Sequence, residues 1–164
     1  MLVTTTYNRL EAVDYARKWA YLRNPKYYDF SMIGGDCTNF ASQCLYAGCN
    51  VMNYPAWYYE SSDNRSPSWT GVEFLYDFLI KNNGLGPRGI ETEIDKIKPG
   101  DIVQLKFEPG GFVHSPVVVE TGYPVKPSNL LVATHTFDCA SRPLDTYSYI
   151  EARFIHITGV GKNM

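Results

Sequence analysis

The chain has 164 residues, 45% hydrophobic, 15% aromatic and 20% charged, which suits one globular domain over residues 1–164 with a substantial core. The net charge of −2 gives no case for a nucleic-acid or membrane-surface partner, and no apolar run reaches the roughly 18 residues of a membrane span. Cys37, Cys44, Cys49 and Cys139 show neither a C-x-x-C pair nor zinc-ligand spacing, so free thiols are expected, with no structural metal and no cofactor. Met1 to Thr6 lacks the features of a signal peptide. The expected location is therefore intracellular, or the cell envelope or exterior for a segment of a longer exported chain.

The first helix is expected from Asn8, a natural N-cap with Glu11 three residues on. Leu10, Val13, Ala16, Arg17 and Ala20 carry its stripe to about Leu22, and Asn24-Pro25 breaks it. Tyr27, Tyr28 and Phe30 then lead into Gly34-Gly35. A second helix is expected from Cys37 to a stop at Gly48. Residues 49–69 read as a long functional loop rich in aromatic rings, among them Trp57, Tyr58 and Trp69. Thr70-Gly71-Val72-Glu73 reads as a capping box opening a third helix that ends near Asn82-Asn83-Gly84.

The second half changes to strands. These are expected over Ile102–Phe107, over 112–119, over Leu130–His135, and as one or two more between 144 and 159. Pro116 cannot donate to a ladder, so a bulge or an edge is expected beside it. Helices followed by an antiparallel meander of about five strands make an α+β layout.

The chemistry centres on Gly34-Gly35-Asp36-Cys37-Thr38-Asn39. A cysteine in the first turn of a helix meets unsatisfied N–H groups and the positive end of the dipole, which can pull its pKa below the usual 8.5 or so. Most cysteines are simply small buried hydrophobes, and Cys44, inside the apolar pattern, fits that description. Cys37 stands among glycines and polar residues, which a core filler does not need. A cysteine nucleophile requires a base and an orienting group. His114 follows a Gly-Gly turn and His135 ends a strand, so a meander can set them side by side. Cys37 would then attack, His114 would carry the proton, and His135 would hold His114, with Asp138 and Asn129 as rival orienting groups. His156 reads as a structural hydrogen-bonder, and Gln43, deep in the helix, as structural.

The residues also resemble a known family. Tyr7-Asn8-Arg9, Asn24-Pro25, Gly35-Asp36-Cys37-Thr38-Asn39-Phe40 with Ser42-Gln43, Trp57-Tyr58-Tyr59, Ser68-Trp69-Thr70, Gly100-Asp101, His114 and His135-Thr136 look like the bacterial putative amidase domain family, over about residues 7 to 158. That family is similar to the NlpC-type and CHAP cell-wall hydrolases. The resemblance implies a papain-like fold and a catalytic set of Cys37, His114 and His135. It also implies that Asp36 and Thr38 line the substrate cleft, with Tyr27 or Tyr28 near it, and that the substrate is an amide bond of peptidoglycan or a related peptide. The aromatic loop, through Trp57 and Tyr58, is expected to form one cleft wall. A monomer is favoured. The rival functions are a cysteine acyltransferase with the same catalytic set and a non-catalytic envelope-binding module.

Overall fold

The computed structural model describes residues 1–164. The chain runs through β1 (Leu2–Thr5), α1 (Arg9–Trp19), α2 (Cys37–Cys49), β2 (Tyr59–Ser61), β3 (Asn64–Arg65), α3 (Pro67–Thr70) and α4 (Val72–Lys81). It continues through β4 (Gly86–Thr92), β5 (Ile102–Lys106), β6 (Val117–Thr121), β7 (Leu130–Thr134), β8 (Cys139–Pro143) and β9 (Glu151–Asn163). The α+β layout is as expected. The main sheet has seven strands rather than about five, in the order β1-β9-β5-β6-β7-β8, with β4 also paired to β9.

Every pairing in this sheet is antiparallel. The 13 residues of β9 are long enough to take β1 and β5 end to end along one edge and β4 along the other. Three strands of this sheet are unexpected, β1, β4 and β8, and the strand expected from Leu144 gives way to a short 3-10 turn over Leu144–Thr146. Gly86-Pro87-Arg88-Gly89 has the composition of a turn, yet it is held extended because β9 supplies a complete ladder beside it.

Side chains alternate across the sheet. One face carries Ile102, Val117 and Ala133 into a core of 24 buried residues shared with the helices. The other carries Val103, Leu105, Val118, Leu130 and Val132 into a smaller cluster closed by Leu144. No helix is long and apolar enough to cross a membrane.

The helices differ from expectation in three details. Asn8 caps α1 as expected, accepting from the Glu11 amide at 3.1 Å, but Leu10 lies outside the stripe and is 69% exposed. α2 runs one residue past Gly48 and is capped by Asn50 in the left-handed region, with φ 58° and its amide on the Tyr46 carbonyl. Gly48 has a different role. A Cβ there would sit 2.4 Å from the Tyr7 ring and 2.9 Å from the Asn8 carbonyl, so it lets the start of α1 lie directly against α2. The capping box at Thr70–Glu73 does not form, because Gly71 is the N-cap with no side-chain bond. Glu73 pairs with Arg153 instead, at 2.5 Å.

The aromatic segment is core rather than cleft. Trp57 and Trp69 are completely buried, with ring centroids 4.7 Å apart. Their indole N–H groups donate to Ser42 at 3.1 Å and Asn39 at 2.9 Å, both on α2. Tyr27 stacks on Trp69 at 5.9 Å, and Tyr58 donates to Asn64 and stacks on Tyr54. Residues 51–69 therefore clamp the outer flank of α2, because large apolar rings gain more from burial than from lining a wet groove.

Candidate active site

The approach to α2 needs its two glycines. Gly34 and Gly35 take φ values of +83° and +98°, a region that other residues enter at a cost. Asp36 follows at the N-cap position, but its side chain makes no cap bond. The carboxylate instead turns inward, almost fully buried. Oδ1 accepts from the Phe30 amide at 2.8 Å and from Asn39 Nδ2 at 2.9 Å. Oδ2 accepts from His135 Nδ1 at 2.5 Å, and the Arg23 guanidinium lies 3.9 Å away.

These contacts correct three expectations. Asp36 does not line a cleft; it ties α2 to the preceding loop and to the end of β7. His135 does not hold His114, because both of its ring nitrogens are taken. Nδ1 donates to Asp36 and Nε2 donates to the Trp19 carbonyl at 2.8 Å, while the ring lies on Phe40 at 4.1 Å. Thr38 is also buried, donating to Ser115 Oγ at 3.3 Å. Trp57, Tyr27 and Tyr58, placed as above, lie in or on the aromatic clamp and not on the cavity beside His114.

Cys37 begins α2 as expected and is 8% exposed. Its sulfur lies 3.7 Å from Thr38 Oγ1, and the dipoles of the Ser115 and Thr38 backbone N–H groups also act on it. These donors favour a thiolate, yet burial outweighs them and raises the thiol pKa, with the Asp36 charge adding to the rise. The expected resting thiolate–imidazolium pair is thus replaced by a neutral thiol. The helix terminus is present, but desolvation wins. All four cysteines are free, and Cys44 is fully buried as expected.

His114 sits where the strand has not yet begun. β6 starts at Val117, just after Pro116, whose carbonyl accepts from Val103 at 3.0 Å. His114 itself makes an isolated bridge to Leu105. The register that pairs Ile102 with Val117 also pairs Leu105 with His114. Alternation then puts Ser115 on the helix face and His114 on the opposite face, beside Leu105. Ser115 accordingly meets Thr38 of α2 and Gln104, while the His114 ring lies 5.7 Å from Tyr147 and 6.3 Å from Phe107. The two imidazoles expected to stand side by side are on opposite faces of the sheet. Cys37 and His114 make no hydrogen bond. They are linked through their chain neighbours, since Thr38, next to Cys37, donates to Ser115, next to His114.

A cavity of about 430 Å³ opens at His114, lined also by Phe107, Val113, Thr136, Phe137, Arg142 and Tyr147. Thr136 connects it to the start of α2, because its Oγ1 accepts from the Asp36 amide at 3.3 Å. Thr136 and Phe137 both take positive φ, 69° and 56°. For a β-branched residue this is a strained conformation of the kind that collects at functional sites. None of the wall residues other than His114 was singled out as a site residue in the sequence. The available signal was the aromatic and cationic residues at strand ends, Phe107, Phe137 and Arg142, just beyond the candidate histidines.

Burial, with the Arg142 charge adding to it, lowers the His114 pKa from 6.5 to about 4. Its ring is therefore neutral at physiological pH, as a general base must be. The folded value lies below the unfolded one, so the chain gains protons here on unfolding. Stability is intact above about pH 6.5 and falls as pH drops from there toward about 4. Urea unfolding at pH 7 and pH 4.5 should show a loss for the native chain that is smaller in His114→Gln.

The remaining candidates are structural. His156 donates from Nδ1 to Asp101 at 2.8 Å, as expected for a structural role. Asp101, fully buried, also holds Arg9 at 2.7 Å and the Ile157 amide at 2.8 Å. Asp138 pairs with Arg23 at 3.0 Å, Asn129 closes a turn onto Lys126 and Pro124, and Gln43 accepts from Tyr15 at 2.5 Å. None of them orients His114.

Fold and site together define an α+β domain with a cysteine at a helix tip, set against an antiparallel sheet beside a histidine-bearing cavity. The family model described as "Putative amidase domain" matches residues 6–158, and the chain belongs to that family. It is 35% identical over 142 residues to the uncharacterized protein YhbB of Bacillus subtilis (strain 168), covering 83% of this chain and 43% of YhbB. It is 26% identical over 122 residues to the uncharacterized protein YjcM of the same strain, covering 68% of this chain and 27% of YjcM. The chain thus spans less than half the length of these relatives. No solved structure matches it significantly.

Proposed function

We propose that the chain is a cysteine-dependent amide hydrolase, one domain of papain-like type related to the NlpC and CHAP hydrolases, acting on peptidoglycan or related peptides. The observation that carries this reading is the position of the Cys37 sulfur. It stands next to Thr38, whose hydroxyl donates to Ser115 at 3.3 Å, and Ser115 is one residue from a neutral imidazole that no protein group engages by hydrogen bonding and that opens on a cavity. Family membership supports amide chemistry.

In the proposed reaction His114 takes the thiol proton as Sγ attacks the amide carbonyl. An S–C bond forms, and the carbonyl pair moves onto oxygen. Backbone N–H groups of the first turn of α2 receive that oxyanion. On collapse the C–N bond breaks, and the leaving nitrogen takes the proton from His114. Water, deprotonated by His114, then releases the acid and restores the thiol. His114 stands on the face of the sheet away from α2, so the reaction requires its segment, which pairs with Leu105 by an isolated bridge, to turn the ring toward the sulfur around substrate.

The second reading is a non-catalytic envelope-binding module. It is favoured by the neutral thiol and by the placement of His114 across the sheet. An acyltransferase shares the first half of the reaction and differs in having an amine, not water, resolve the acyl-enzyme. Digestion of purified peptidoglycan and of short stem peptides, with new amine and carboxyl termini identified by mass spectrometry, decides among them. New termini in water support the hydrolase. Products carrying an added amine, formed in its presence and not in water, support the acyltransferase. Binding without product supports the module. For the hydrolase, kcat/KM should rise with pH through about 4, as the His114 ring becomes neutral, and then level off, because that ring takes the thiol proton during attack.

A further inference from the structure

We propose that the cavity beside His114 is a carboxylate-binding subsite, in which Arg142 receives an anionic group of the ligand while Phe107, Phe137 and Val113 take its apolar part. Arg142 is held ready for this. Its Nε donates to Thr146 Oγ1 at 2.7 Å and one Nη to the Thr146 carbonyl at 2.9 Å, and the guanidinium lies 3.7 Å from the Tyr147 ring centroid. Beyond Thr146 the guanidinium acts on Tyr147, its ring and its hydroxyl, and no carboxylate lies within salt-bridge distance of the side chain. A guanidinium clamped on one edge and stacked on one face loses little freedom on binding an anion, and charge-assisted bonds of this kind are the strong ones. The charge is also felt inside the cavity, since it adds to the depression of the His114 pKa.

The remaining wall is largely apolar, with Phe107, Val113 and Phe137 exposed to a ligand. A small multivalent inorganic anion would leave these rings unused. The shape and chemistry fit a peptide-like ligand with a hydrophobic or aliphatic stem ending in a carboxylate. The inference rests on reading this cavity as the substrate site, and it is tested by binding rather than by turnover.

The probes are N-acetyl-alanyl-alanine with a free C-terminal carboxylate and the same dipeptide as its carboxamide. Both are titrated into the full chain and followed by amide shifts of Val113, His114, Thr136 and Phe137. The carboxylate form should bind on the order of 10-fold more tightly. Arg142→Gln should erase the preference while the amide form still binds, and Arg142→Lys should keep part of it. Equal binding of the two forms by the native chain, binding of neither, or a preference that survives Arg142→Gln would overturn the proposal. Turnover of amides without carboxylate discrimination would remove this subsite and leave the hydrolase standing. Discrimination in binding, with no amide cleaved, would do the reverse.

Discussion

Cys37→Ala is expected to lower amide hydrolysis by on the order of 10⁴-fold or more, the scale seen when a nucleophile is removed from a catalytic unit whose members act together. The structure around the position should hardly change. The side chain is small, and the one hydrogen-bonding side chain beside it is the Thr38 hydroxyl, which keeps Ser115 as a partner. Far-UV circular dichroism and the urea midpoint should therefore match the native chain while product release disappears. Cys44→Ala, two turns further into the core, should do the opposite: lose stability through a cavity and keep its turnover per folded molecule. If Cys37→Ala retained full hydrolysis, the sulfur would not be the nucleophile.

Asp36→Ala is expected to cost roughly 3–5 kcal/mol of stability, because it strips three buried donors of their acceptor at once. Those donors are the Phe30 amide, Asn39 Nδ2 and His135 Nδ1. A loss of that size is a large share of the roughly 5–15 kcal/mol that holds a domain folded. It should appear as a drop in urea midpoint with an unchanged slope. Asp36→Asn should lose less, since one amide oxygen can still accept. Were Asp36 a substrate contact instead, Asp36→Ala would unfold at the native urea concentration and change only KM.

Much of the site's framework was legible in one dimension. Cys37 at a helix start follows from two glycines, a polar cluster and an apolar 3.6-residue period, all local signals. The structural roles of His156, Cys44 and Gln43 followed from their apolar settings. The aromatic loop misled because an aromatic run has the same composition whether it lines a groove or covers a helix. What decided it was the pair of indole N–H bonds to Ser42 and Asn39, contacts across 15 and 30 residues.

The sequence by itself determined the α+β order, the start of α2 at Cys37 and the family, because capping residues, turns and hydrophobic periods act within a few positions along the chain. Only the tertiary structure decided which face each histidine takes. In a strand a shift of one residue turns a side chain to the other side of the sheet, and the register of the His114 segment is set by its pairing with Leu105. Tertiary packing likewise gave His135 to Asp36 and the Trp19 carbonyl and set the protonation of Cys37, because burial is a property of everything that surrounds a residue and not of its neighbours in the chain.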